Sequence, residues 1–228
     1  MLLDLITSGN ITAASLIELG LYVIVILISL SMHELCHGYV AYRCGDATAR
    51  NLGRLTLNPL AHLDPIGTIM MLVFGFGYAK PVPINPRNFN HYKRDLCFVS
   101  FAGPLSNLCL SFIGALFFWI SFLILPDAVP SYYWLRFCGY FVSANASLAI
   151  FNLLPIPPLD GSRIVSTVLP QKAAYYYLKY ERYIMLIMFL LLWKGAFAGL
   201  LSWLSSHLIN GVMGLASWIL HPLANLFL

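Results

Sequence analysis

The sequence predicts an all-α polytopic membrane protein with about six transmembrane helices, one of them short or re-entrant, and an extended, β-like membrane-associated segment near residues 52–90. Three observations carry this expectation. Of 228 residues, 60% are hydrophobic and only 10% charged, whereas a soluble domain carries roughly 25% charged residues. Several stretches approach the ~20 apolar residues that a helix, rising about 1.5 Å per residue, needs to cross a bilayer. Between Leu52 and Asn90 the composition shifts to Gly, Pro and Asn, which interrupt such helices.

A single membrane-embedded domain spanning residues 1–228 is the economical organisation, with a core of about 14–163 and C-terminal helices over about 183–228. The first helix is expected from about Ala14 to Tyr42, ending near Cys44-Gly45-Asp46. Its apolar run, Leu16 to Met32, carries one charge, Glu18. The preceding residues hold Asp4 and no Lys or Arg, unlike the basic start of a cleavable signal peptide, so the helix is expected to be retained. Ile66 to Tyr78, about 13 residues, is too short to span and suits a re-entrant or interfacial segment. Lys80 to Pro86 alternates with prolines and fits only an edge strand or extended loop. Leu96 to Leu125 reads as a long helix containing Gly103-Pro104, and Tyr132 to Leu154 as its return. A Pro-rich turn, Leu153 to Gly161, leads to a basic stretch with Tyr175, Tyr176, Tyr177, Tyr180 and Tyr183, a composition typical of a membrane interface. Apolar sequence then runs from Ile184 to Leu228, enough for two more passes, interrupted by Lys194.

Basic residues favour cytosolic loops. Arg43, Arg50, Arg54, Lys80, Arg87, Lys93 and Arg94 form one basic group, and Arg163, Lys172, Lys179 and Arg182 another. Both are expected in the cytosol, with the N-terminus and the Leu125 to Trp134 connection outside. The net charge of +4 is divided among loops rather than gathered on one face, so nucleic acid is not an expected partner. Cys36, Cys44, Cys97, Cys109 and Cys138 lack paired spacing and read as free thiols within or beside apolar helices.

Chemistry enters at His33-Glu34-Leu35-Cys36-His37, an H-E-x-x-H pattern at the end of the first apolar run. On a helix His33 and His37 lie one turn apart on one face, suited to holding a zinc ion, with Glu34 as the general base for its water. Two imidazoles and a carboxylate inside a membrane helix are costly unless a metal or partner satisfies them. Catalytic zinc normally takes a third protein ligand. A metzincin-type third histidine falls at Arg43, which excludes that class. Glu181, between Tyr180 and Arg182, reads as a solvated ion-pair partner. Aspartates and histidines remain, among them Asp160, just past the cytosolic end of the Tyr132 to Leu154 helix and on the same side of the bilayer as His33 and His37.

His33-Glu34-x-x-His37, Gly53-Arg54-Leu55-Thr56-Leu57-Asn58-Pro59, Lys80-Pro81-Val82-Pro83, Gly103-Pro104-x-x-Asn107 and Asn152 through Asp160-Gly161 occur in that order. Together they resemble the site-2 protease family of intramembrane zinc metalloproteases, in particular its short members without a PDZ domain. The resemblance implies one Zn2+ per chain held by His33, His37 and Asp160, Glu34 as catalytic base, and Asn152 beside the scissile carbonyl. It implies a membrane-protein substrate with a transmembrane helix, cut within the lipid bilayer. The expected location is the plasma membrane, with the active site toward the cytosol. The extended Lys80 to Asn85 segment, with carbonyls left free by its prolines, is expected to pair with unwound substrate by strand addition.

Blander readings compete. A metal transporter would use the same ligands as a transit site but needs further ligands along a path, and a di-iron oxygenase needs several histidine clusters. His62, His91, His207 and His221 lack ligand-spaced partners and read as packing or interfacial residues, as do Asn107 and Gly103-Pro104. Gly195-x-x-x-Gly199 permits close helix approach and hence a homodimer.

Overall fold

The computed structural model describes residues 12–74 and 79–227. Helix α1, Ala13–Arg43, starts where Thr12 and Ser15 cap each other reciprocally, side chain to backbone in both directions. A one-turn helix α2, Thr48–Asn51, and α3, Pro65–Phe74, follow. The long α4, Tyr92–Ile124, and α5, Val129–Leu153, form an antiparallel pair. Beyond them lie α6, Asp160–Val168, α7, Gln171–Lys179, α8, Glu181–Trp193, and α9, Ala198–Phe227.

The bundle is centred on α4, which packs against α1, α5, α6 and α9. Its contacts are built from small residues: Ala115 meets Val142, Val212 and Ala216, while Val25 and Ile26 of α1 meet Ala144 of α5. Small side chains let backbones approach closely where lipid provides no hydrophobic drive between helices. Helices α1 and α4 are long and apolar enough to cross a membrane, and only 17% and 22% of their most apolar windows are buried in the protein. Their apolar surface therefore faces outward, opposite to a core helix of a soluble domain.

The lone charge of the first apolar run is compensated. Glu18 accepts from Arg136 Nε at 3.0 Å and Nη2 at 2.8 Å, and from the Tyr140 hydroxyl at 3.2 Å, tying α1 to α5.

The β-like character expected of residues 52–90 is confined to one antiparallel bridge, Leu63 with Ala79, and no strand forms among the described residues. The short apolar segment is helical over Pro65–Phe74, about 15 Å, too short to span; residues 75–78 of the expected re-entrant piece lie outside those described. The C-terminal run is broken at residues 194–197, where the expected Lys194 interruption falls and Gly195 adopts φ +70°. Gly195 thus lies outside any helix and Gly199 inside α9, so the pair does not form one small-residue helix face. Helix α8, at 13 residues, reaches about 20 Å. Glu181 pairs with Arg163 at 3.3 Å, in keeping with the solvated ion pair expected of it. All five cysteines are free.

The loops that follow α1 are clasped by Asp46, fully buried after the end of that helix. Its Oδ1 accepts from Thr48 N at 3.1 Å, the Thr48 hydroxyl at 2.5 Å and Asn88 Nδ2 at 2.8 Å, and its Oδ2 from Asn85 N at 2.7 Å. Burial pushes this carboxyl up, but the hydrogen bonds from Thr48, Asn85 and Asn88 outweigh it and hold it below the ordinary aspartate value of 3.8. A carboxyl lowered on folding stabilises the fold above its unfolded pKa, and that contribution is lost as pH falls through the lowered value. Asp46→Asn is expected to cost on the order of 3 kcal/mol at pH 7, because an amide turned toward Asn85 N cannot accept all four bonds. In thermal unfolding in detergent, the gap between wild type and variant should narrow only below about pH 4; a gap constant down to pH 3 would refute the assignment.

Candidate active site and metal centre

His33 and His37 lie one turn apart on α1, each about 5% exposed, and their Nε2 atoms are 3.0 Å apart. Asp160 is the first residue of α6. Its Oδ2 is 3.2 Å from each Nε2, closing a triangle of three ligand atoms. The turn at residues 154–159 brings it there by folding α6 back onto the end of α5. Gly161 makes that contact possible, because a Cβ at this position would sit well inside 3.0 Å of the Leu153 and Leu154 carbonyls. Tyr177 secures the turn by donating to Pro155 O at 2.8 Å.

The outer edge of each imidazole faces an oxygen. His33 Nδ1 is 2.5 Å from Asn107 Oδ1, and His37 Nδ1 is 2.6 Å from Val99 O. Val99 O lies one residue before the carbonyl that Pro104 deprives of its helical donor. Both Nδ1 atoms therefore carry protons, and in the neutral imidazoles both Nε2 lone pairs point inward. This explains why Asp160 Oδ2 lies within 3.2 Å of two nitrogens yet has no hydrogen-bond donor. Three buried acceptors converge on one point with no proton between them, an arrangement that a cation satisfies. Around tetrahedral zinc, with bonds of about 2.0–2.1 Å, neighbouring ligand atoms stand about 3.3 Å apart. The triangle matches that spacing, and the nitrogen and oxygen donors match that metal. Room for the imidazoles comes from Gly103, where a Cβ would lie 2.6 Å from His33 Nε2 and closer still to His37 Nε2.

Glu34 is half-buried beside the trio, and its Oε2 accepts from Val82 N at 2.7 Å. The Pro-rich segment therefore lies directly over α1, with Val82 buried against Gly38. Its carbonyls are not all free, as the sequence reading supposed: Arg54 Nη2 donates to Lys80 O at 2.9 Å and to Pro81 O at 3.2 Å. The guanidinium reaches back from the preceding loop and satisfies the acceptors that the prolines leave open.

Asn152 stands apart from the trio in its bonding. Among the described residues its one side-chain hydrogen bond runs to Leu148 O, at 3.0 Å in its own helix. His62 is a loop residue, buried and bonded through Nε2 to Thr56 O at 2.8 Å. Asn107, read from sequence as packing, contacts His33, Val82 was read only as part of the Pro-rich segment, and Asn145 and Val99 escaped sequence reasoning altogether. The available signal was the cost of two asparagines inside apolar helices.

A model of peptidase family M50 matches residues 120–194, a stretch that includes Asn152 and Asp160. YwhC of Bacillus subtilis (strain 168), provisionally named a zinc metalloprotease, is 46% identical over 150 residues, covering 65% of this chain and 68% of that protein. The chain belongs to peptidase family M50. M50 peptidases, the site-2 protease family, are membrane proteases. Two more relatives of this M50 chain carry similarly provisional zinc metalloprotease names. Rip2 of Mycobacterium tuberculosis (strain H37Rv) is 31% identical over 159 residues, covering 66% of this chain and 59% of Rip2. A Methanocaldococcus jannaschii protein is 32% identical over 133 residues, covering 58% of this chain and 62% of that protein. No solved structure matches this M50 chain. Zn2+ is the cofactor that both the family and the donor set support.

Proposed function

We propose that this chain is an intramembrane zinc metalloprotease that hydrolyses peptide bonds within or near transmembrane segments of membrane-anchored proteins. The observation that carries the reading is the convergence of His33 Nε2, His37 Nε2 and Asp160 Oδ2, with Glu34 alongside, on an outward-apolar helix of membrane length. Bound there, zinc would polarise the peptide carbonyl and acidify water to a pKa of about 7. Glu34 takes the proton from water and returns it to the departing amine. The Val82 N–H fixes Oε2 of that carboxylate, leaving Oε1 for the proton. Asn152 has a second amide N–H beyond the one given to Leu148 O, and the reading assigns it to the developing oxyanion.

About six crossings in a single domain, a plasma-membrane location and a cytosolic opening complete the proposal, supported by the concentration of Lys and Arg in the loops after α1 and α5. A substrate helix has to unwind to expose a carbonyl, since its own hydrogen bonds otherwise hide it. Transit of a metal ion is the weaker reading, because one ligand cluster rather than a series is found among the described residues.

Purified protein in liposomes with a single-span substrate tests the proposal. Mass spectrometry of the products should place the new termini inside or at the edge of the span. A strong chelator should stop cleavage and one equivalent of zinc restore it. Cleavage indifferent to chelation, or confined to soluble parts of the substrate, would defeat the reading.

A further inference from the structure

Two buried amides outside the ligand set are joined to it in series. Asn107 of α4 and Asn145 of α5 are both fully buried. Asn145 Nδ2 donates to Phe141 O at 2.9 Å, Asn107 Nδ2 donates to Asn145 Oδ1 at 2.8 Å, and Asn107 Oδ1 faces His33 Nδ1 at 2.5 Å. The far end decides the sense of the whole chain. Phe141 O is a backbone carbonyl and can only accept, so Asn145 must turn its amino group toward it and its oxygen toward Asn107. Asn107 must then present its own amino group to Asn145, which leaves only its oxygen for His33. An oxygen there requires a proton on Nδ1, which in the neutral imidazole leaves the lone pair on Nε2.

We infer that Asn107 and Asn145 are positioning residues, a buried relay of amides that commits His33 to the tautomer able to bind metal through Nε2. The inference rests on the metal-site reading above. His37 needs no relay, since the acceptor on its Nδ1 is itself a backbone carbonyl, Val99 O. His33 has a side chain as its neighbour, and an unanchored Asn107 could rotate to offer either an oxygen or an amino group. Asn145 removes that freedom. Burying two amides in apolar helices is costly unless each is bonded, and leucine would fill the same volume at no such cost. Outer partners of this kind typically change metal affinity by about 10–100-fold.

The test uses the full chain in detergent, with metal content and affinity read by chelator competition and the geometry by the absorption spectrum of the Co2+ form. Asn107→Leu should weaken zinc binding about 10–100-fold and perturb the Co2+ spectrum. Asn107→Asp, which still accepts from His33 Nδ1, should stay within a few-fold of wild type. Asn145→Ala, which leaves Asn107 free to rotate, should fall between them. Thermal unfolding of the zinc-free forms separates packing from positioning, since a merely structural role would lower stability in all three without ranking their metal affinities. If Asn107→Leu does not fold, Asn107→Asp against Asn145→Ala carries the comparison. Equal zinc affinity in every folded variant, or loss in Asn107→Asp as large as in Asn145→Ala, overturns the inference while leaving the metal site standing. A wild type that takes up neither zinc nor cobalt sinks the metal-site reading itself.

Discussion

Glu34→Gln is expected to cut peptide hydrolysis by about 10²–10⁴-fold, the usual contribution of a general base, while metal content stays near one equivalent. The separation follows from the bonding. The carboxylate accepts from Val82 N, and a glutamine amide oxygen accepts the same bond. The Pro-rich segment therefore keeps its seat over α1, and the triangle of His33, His37 and Asp160 is untouched. What disappears is an atom able to take a proton. Product formation from a single-span substrate, measured beside zinc analysis of the same preparation, decides the matter. Undiminished turnover in the variant would remove Glu34 from the chemistry.

A second loss, smaller but aimed at metal binding, is expected from a single methyl group. In Gly103→Ala the new Cβ would fall 2.6 Å from His33 Nε2 and nearer still to His37 Nε2, where no side chain can yield without leaving the ligand position. Either the imidazoles turn away or α4 retreats from α1, and overpacking of this kind costs about 1–3 kcal/mol or more. Taken from metal binding, that is about five- to more than a hundredfold in Kd, with cleavage falling alongside. Gly114→Ala is the control on the same helix. Its Cβ would meet Phe141 Cδ1 at 2.9 Å, away from the ligands, so it should lower thermal stability and spare zinc. Wild-type zinc affinity in Gly103→Ala would show that the site has room the structure does not indicate.

The sequence made the helix of His33, Glu34 and His37 legible because an acid and two imidazoles have no cheap alternative inside an apolar run. Asp160 followed from the ordered motifs, and the Gly161 contact with the end of α5 gives that order its physical basis. What stayed hidden depends on which face meets which. Asn107 and Asn145 are 38 residues apart, and nothing in periodicity says that their amides touch. Arg54 looked like one more basic loop residue, yet it caps two carbonyls of the Pro-rich segment. The Gly195 and Gly199 spacing suggested one smooth helix face, but a positive φ at Gly195 ends that face. Asn152 shows the opposite limit: the motifs imply a role, while its resting hydrogen bond is a local one to Leu148.

The ion pair between Glu18 and Arg136 bears on how the chain is made. Helix α1 leaves the ribosome carrying an acid whose guanidinium partner is synthesised 118 residues later. A charge within an apolar run is poorly solvated by lipid, and the partner that offsets it here comes from α5. The pairing of α1 is thus completed retroactively, only once α5 has been made.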